Sequence, residues 1–365
     1  MSASFGRFFL PGPTEVLPEV LAAQAQPMIG HRGPETEALL AAIDQPLKDA
    51  FRTTLPVMIG TCSATGFMEA AIRCGVKSKV LCLVNGAFSQ RFADIAVACG
   101  KDLHVAKVEP GRTFEPDDVR KLVKESGADA VTLVHSESAT GALNPIGEIS
   151  AAVRETDDVM VLVDGVTSVG GSPVEMDAWG LDILVTGSQK ALALPPGLAF
   201  GVASARVIAR AKTLPGRGIY LDLVVYEEQI RKHQTPYTPA VSLVFALKAQ
   251  LDRITAGGGI EARWARHDAM RQAVESWVAA NGEALGVSYL PVAGRRSWTV
   301  SCLKLRDAEP SGGAITKKMA ARGFTIAPGY GKLKDSTIRI GHMGDHTVTE
   351  VEAVLAALAE VLHRG

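Results

Sequence analysis

The chain holds little that would suit an oxidised, metal-built or membrane-bound protein. Its 365 residues include five cysteines: Cys62, Cys74, Cys82, Cys99 and Cys302. That number is odd and no C-x-x-C pair occurs, which argues for reduced, mostly buried thiols in a cytoplasmic protein. The eight histidines are scattered, with no Cys/His ligand grouping, so no metal is expected. Neither sign of charge dominates: 38 basic against 39 acidic side chains leave a net charge of -1. Such a balance gives no footprint for nucleic acid or an acidic membrane, and any anionic ligand must be held by local groups. No apolar run reaches membrane-spanning length; the longest, Ala191 to Ala205, is interrupted by Pro195, Pro196 and two glycines. The opening Met1-Ser-Ala-Ser-Phe-Gly-Arg lacks the apolar core of a secretion signal. Nucleotide-binding motifs are missing too: there is no G-x-x-x-x-G-K-[ST], and no G-x-G-x-x-G opens a helix.

What is present is a well-packed α/β pattern. The hydrophobic content is 47%, and the length suggests roughly two domains. Strands are predicted at Leu55–Gly60, Lys79–Val84, Leu103–Val108, Ala130–Val134, Val159–Val163, Ile183–Thr186 and Leu198–Val202. Helical stretches such as Ala87–Cys99 and Pro116–Glu125 lie between them. Strands joined by crossovers of helical length predict one mostly parallel, doubly wound seven-stranded sheet. After Arg210 the pattern changes. A loop-rich stretch, Pro215 to Pro239, leads into a long helical region from about Val241 to Ala280, broken at Gly257-Gly-Gly. The remainder alternates strand (Trp298–Leu303), helix (Gly313–Arg322), strand (Ser336–Ile340) and helix (Thr347–Leu362), a smaller C-terminal α+β domain. The expected division is an N-terminal segment over 1–20, a large domain over 21–250 and a small domain over 251–365.

Two residues carry the most chemistry. Asp164 closes the apolar run Val159–Val163, and Lys190 ends Ile183-Leu-Val-Thr-Gly-Ser-Gln-Lys. Both should emerge at strand carboxyl ends, where open α/β sheets build their sites. A lysine in apolar surroundings is costly unless neutralised, and Schiff-base formation with an aldehyde does that. A carboxylate nearby can hold a pyridine nitrogen protonated. Together the two suit pyridoxal phosphate. Gly60-Thr-Cys-Ser-Ala-Thr-Gly reads as a strand end, a Ser/Thr turn and a helix start near Gly66, where free N–H groups and the hydroxyls of Ser63 and Thr65 could cradle a phosphate, although Ser/Thr there commonly serves only as a cap. Phe88, just past the second strand, could stack on a flat ring or simply fill the core. Ser138, after another strand, could bond a ring oxygen.

These sites, with Leu10-Pro-Gly-Pro-Thr, Asn85-Gly-Ala-Phe, Glu137-Ser-Ala-Thr-Gly, Thr235-Pro-Tyr-Thr-Pro and Arg339-Ile-Gly-His-Met-Gly, resemble the fold-type I pyridoxal-phosphate enzymes. Within that group the chain is similar to class V aminotransferases, in particular the alanine–glyoxylate and serine–pyruvate branch, over nearly its whole length. The resemblance implies that Lys190 carries the cofactor and Asp164 partners its pyridinium. It also implies Val166 and Phe88 on the two ring faces, Ser63, Ala64, Thr65 and Gln189 at the phosphate, and Ser138 at the ring oxygen. Phe88 stands where this branch often has tryptophan, so stacking is kept and the indole N–H is lost. Thr235 and Thr238, with Tyr237 as a rival, would reach the phosphate of a neighbouring subunit in a homodimer with shared sites. Arg339 would fork onto the substrate's α-carboxylate, and Gly12 would lie against the substrate. His31-Arg32 could add a second anionic contact. The implied activity is ping-pong transamination of alanine or serine with glyoxylate or pyruvate. Phosphoserine and aminoethylphosphonate transaminases are alternatives, as is a non-catalytic binding protein. A cysteine desulfurase is disfavoured, because Ala327 to Thr337 contains no cysteine. Without the resemblance, a hydride-transfer enzyme on a Rossmann sheet would be the next reading, and the missing glycine fingerprint counts against it.

Overall fold

The computed structural model describes residues 5–307 and 310–363; the first four residues of the N-terminal segment lie outside this range. All seven predicted strands form one sheet, in the spatial order Met58–Gly60, Ala199–Ala203, Ile183–Gly187, Met160–Asp164, Ala130–Val134, Lys79–Val84, Asp102–Lys107. Ala199–Ala203 runs antiparallel to both neighbours, while Ile183–Gly187, Met160–Asp164, Ala130–Val134, Lys79–Val84 and Asp102–Lys107 pair in parallel. The strands Ala130–Val134, Met160–Asp164 and Ile183–Gly187 are buried along their whole length. That explains their unbroken apolar sequences: both faces of a parallel sheet are covered by helices. A consequence for function is that Gly60, Val84, Val134, Asp164 and Gly187 all end at one edge.

A second sheet has the order Phe8–Phe9, Thr325–Pro328, Thr337–Gly341, Val300–Leu305, Val287–Tyr289. Its first pair is parallel and the others antiparallel. The sequence pattern misses three of these strands. Phe8–Phe9, Thr325–Pro328 and Val287–Tyr289 span two to four residues each, too short for period-two alternation to register. The N-terminal segment is therefore a strand of the small sheet before it crosses to the large one. Gly341 permits the crossing, since a side chain there would meet the Leu10 carbonyl oxygen at 2.0 Å.

Among the described residues two large apolar cores result, beside a small cluster of Ala191, Val300 and Met343. Ile260 and Trp264 pack into the core around the seven-stranded sheet, whereas Met270 and Val274, on the same helix Gly259–Leu285, pack with Phe9, Leu303, Ile338 and Leu358. The break at Gly257 and Gly258 separates this helix from Val241–Ala256. Gly258 has φ of +96°, a conformation that glycine adopts without penalty. No described helix is long and apolar enough to cross a membrane. His342-Met-Gly-Asp-His346 is an H-x-x-x-H spacing, shared by some metal-binding pairs, which corrects the expectation that the histidines are all scattered without one. Here each Nε2 bonds within the protein: His342 to Ser301 Oγ at 2.9 Å and His346 to the Phe8 carbonyl at 3.1 Å.

Candidate active site

The carboxyl edge of the large sheet opens into a cleft. Ser63, Ala64, Thr65, Phe88, Ser138, Asp164, Val166, Gln189 and Lys190 all line it. They come from five different segments, each at or just after a strand end. The parallel sheet thus brings together residues spread over 128 positions of sequence.

Lys190 is 9% exposed. Its Nζ donates to the carbonyl of Pro11, and a side chain on Gly12 would approach that Nζ to 2.3 Å. Gly12 thus presses against the lysine, with φ of +119°. The N-terminal crossing is pinned there: Thr14 N–H donates to the Gln189 carbonyl at 3.0 Å, and Thr14 Oγ1 to the Met343 carbonyl at 3.1 Å. Burial lowers the lysine's pKa to about 8; Asp164 opposes that shift, and Arg339 and Arg91 reinforce it. An amine near pH 8 is substantially unprotonated and nucleophilic.

Asp164 is 4% exposed. One carboxylate oxygen accepts from Val166 N–H at 2.8 Å, which turns the chain so that Val166 also faces the cleft. Burial raises its pKa to about 6, with the Val166 bond, Lys190 and Arg91 acting the other way. A buried carboxylate with one protein donor has capacity left for a cation or an N–H.

Ser63 is the N-cap of helix Ala64–Gly75, yet its side chain makes no capping bond. Among the described residues neither the Ser63 nor the Thr65 hydroxyl forms a hydrogen bond, and both lie at the positive end of this helix, an arrangement that suits a phosphate. Arg339, 8% exposed, is fixed by two carbonyls, Pro328 to Nε and Ser138 to Nη1, each at 3.0 Å. Its remaining N–H groups stay available for an anion.

Three residues that the sequence reading leaves out belong here. Glu137 is fully buried and accepts from Phe88 N–H, Ser89 N–H, Ser89 Oγ and Ala139 N–H. It ties the Phe88 helix to the Ser138 loop, and burial pushes its carboxyl pKa up against those bonds. Arg91 lines the cleft with its guanidinium 5.0 Å from the Phe88 ring. Tyr330 lies 5.5 Å from that ring. Helical spacing, with Arg91 three residues after Phe88, could have pointed to the arginine; Tyr330 sits on a loop with no periodic signal.

Other expected residues lie apart from this cleft. Thr235 is buried, its hydroxyl donating to the Tyr237 carbonyl at 2.8 Å, and Thr238 is exposed. Arg32 does not line the cleft either. Its guanidinium donates to the carbonyls of Thr235 at 2.5 Å and Pro236 at 2.9 Å, so its charge braces that loop.

Residues 59–312 match the Aminotransferase class-V family. The chain is a class V aminotransferase. Its cofactor is accordingly pyridoxal phosphate, and the free hydroxyls, the buried carboxylate and the depressed lysine fit that group. An uncharacterized aminotransferase of Methanocaldococcus jannaschii is 39% identical over 96% of this chain and 90% of its own length. Among solved structures, an aspartate aminotransferase from Thermus thermophilus is 32% identical with a TM-score of 0.88, covering 98% of this chain and 99% of that one. An alanine–glyoxylate aminotransferase from Nostoc sp. is 28% identical with a TM-score of 0.90, covering 98% and 95%. In this aminotransferase Cys302 is buried, directed at the Ala139 carbonyl, and its thiol is pushed up to about 12 by burial. Such a thiol is no nucleophile, which removes the basis for desulfurase chemistry.

Proposed function

We propose that this enzyme transaminates a small amino acid, alanine or serine, with glyoxylate or pyruvate. The observation that carries the reading is the pairing of buried Lys190 with buried Asp164 in one cleft, beside which a half-free arginine, Arg339, is fixed by the carbonyls of Pro328 and of Ser138, a cleft residue. When bound, pyridoxal phosphate supplies an electron sink for the bond-breaking at the donor's Cα. Asp164 would hold its ring nitrogen protonated, Phe88 and Val166 would clasp the ring, and Ser138 would meet its oxygen. Ser63, Ala64, Thr65 and Gln189 would hold the phosphate. Arg339 would orient the donor by its carboxylate, so that the Cα hydrogen faces Lys190. Lys190 Nζ would then take that proton and return it to the cofactor's C4′ carbon, as general base and acid in turn. Gly12 and the Pro11 carbonyl keep Nζ aimed into the cleft.

The same reading makes the enzyme a homodimer with shared sites. Ile219 is 79% and Tyr220 40% exposed. Both adjoin the bracing network that links Arg32, Thr235 and Tyr237 to the Ile219 carbonyl, the Tyr220 ring stacking on Tyr237 at 5.0 Å. Tyr220 Oη donates to the Thr61 carbonyl at 3.0 Å, which puts this apolar surface beside the phosphate cradle. Exposed apolar side chains grouped in this way suit a subunit contact, from which Thr235 or Thr238 would reach the partner's phosphate. The five unpaired cysteines favour a reducing, cytoplasmic setting. Sedimentation equilibrium should give twice 38.5 kDa.

A second reading, a dicarboxylic donor, has one observation in its favour: Arg91 lines the cleft and forms no ion pair among the described residues. A half-reaction screen of amino donors, followed by the cofactor's absorbance, separates the two. Alanine or serine converting fastest supports the first reading; aspartate or glutamate converting fastest replaces it with the second. Borohydride treatment of the loaded enzyme should label Lys190 alone by peptide mass, and a label elsewhere or none would remove the lysine's role.

A further inference from the structure

The loop joining Thr325–Pro328 to Thr337–Gly341 carries one aromatic side chain, and its backbone is closely held. Gly329 N–H donates to the Thr337 carbonyl at 2.8 Å, and Leu333 N–H to the Tyr330 carbonyl at 3.1 Å. A side chain at Gly329 would meet the Leu333 carbonyl oxygen at 2.0 Å, so the loop is packed against itself on both sides of Tyr330. The Tyr330 ring lies 5.5 Å from the Phe88 ring at a tilt of 40°. The Arg339 guanidinium stands over the same ring, 5.5 Å from its centroid. Tyr330 remains 41% exposed, and its hydroxyl has no hydrogen-bond partner among the described residues.

We propose that Tyr330 is the wall that sets how large an amino-donor side chain the cleft admits. The inference rests on Arg339 holding the donor's carboxylate. With that group on Arg339 and the amino group directed towards Lys190, the side chain is left to point at the mouth, where Tyr330 bridges Phe88 and Arg339. The ring does two things there. It fills the volume a bulky side chain would need, and it covers one flank of the guanidinium, shielding the carboxylate contact from water. An aromatic wall of this kind discriminates by size: each methylene that fails to fit costs about tenfold or more in binding or turnover.

The test uses the cofactor-loaded enzyme and two acids that cannot react, propionate and 3-phenylpropionate, with dissociation constants measured by calorimetry. Wild type should prefer propionate. Tyr330→Ala should shift the ratio towards 3-phenylpropionate by about tenfold or more, and kcat/KM for phenylalanine relative to alanine should move the same way. Tyr330→Phe should keep the wild-type order, because the ring and not the hydroxyl is the wall. An unchanged ratio in Tyr330→Ala overturns the proposal, as does a Phe variant that behaves like the Ala variant. Arg339→Gln separates the two levels of the argument. If it binds both acids as wild type does, the carboxylate assignment itself fails and the wall falls with it. If it loses both acids while Tyr330→Ala keeps the wild-type ratio, only the wall is refuted.

Discussion

At the scale of single residues, Asp164 and Lys190 occupy opposite sides of one electrostatic compromise. Burial raises the carboxyl to about 6 and lowers the amine to about 8, and each charge moderates the other. The sign for stability follows. A carboxyl raised above its unfolded value contributes stability at low pH that is lost as pH rises through the folded pKa. Without cofactor, wild type should therefore lose stability relative to Asp164→Asn between about pH 4 and about pH 6, by roughly 3 kcal/mol for a shift of about two units. Urea titrations of both proteins across that range check it, and parallel curves would contradict it. Glu137 shifts the same way but is present in both proteins, so the difference isolates Asp164. For Lys190, the rate of cofactor attachment to the stripped enzyme should climb through about pH 8 and then level off. A climb that continued towards pH 10 would mean that burial does not depress the amine.

The element scale shows why so much of this site was legible in sequence and where legibility stopped. Parallel strands buried on both faces give unbroken apolar runs, and their carboxyl ends are marked by the first polar residues after them. Asp164, Ser63 and Lys190 could be found for that reason. The run Met58–Gly60, short as it is, was still visible because the Ser/Thr turn punctuates it. The edge strands of the small sheet carry no such mark. Glu137 escaped for a different reason: its role depends on which helix start meets which loop, a matter of tertiary contact with no local signal, whereas Arg91 had only its helical spacing from Phe88 to mark it. The helix Ala64–Gly75 offers a test at this scale. Its N-cap hydroxyl is withheld from the helix, so Ser63→Ala combined with Thr65→Ala should leave thermal stability nearly unchanged. Pyridoxal phosphate should bind more weakly by about 2 to 4 kcal/mol, two charge-assisted hydrogen bonds being lost. Pyridoxal without its phosphate should bind the variant and wild type alike. A large fall in stability, or an equal loss for both ligands, would show the hydroxyls to be ordinary caps.

At the scale of the whole molecule, the two large cores meet on one helix, and a buried ion pair fastens that helix to the loop that carries Lys190. Arg263 Nη1 pairs with Asp345 at 2.9 Å, the side chains being 4% and 8% exposed. The same guanidinium donates through Nε and Nη2 to the carbonyl of Ala191, the residue after Lys190, at 3.0 and 2.5 Å. Asp345 also accepts from Gln250 at 2.8 Å, so the cluster joins both long helices to the turn after Thr337–Gly341. Burial works to raise the Asp345 carboxyl, but Arg263, Gln250 and Arg266 together outweigh it and hold the group below the usual carboxylate range. Its stabilising contribution is therefore present above the unfolded pKa of about 4 and is lost as pH falls below that. Arg263→Ala strands a buried carboxylate with only the partly exposed Arg266, 3.3 Å away, as counter-charge. The cost at neutral pH should be about 3 to 5 kcal/mol, and it should shrink as the medium is acidified, because protonating Asp345 relieves the unpaired charge. Unfolding midpoints in urea at pH 7 and near pH 3.5 measure both effects. A loss well under about 1 kcal/mol at pH 7, or one that grows on acidification, would show that this pair does not hold the two halves of the enzyme in register around Lys190.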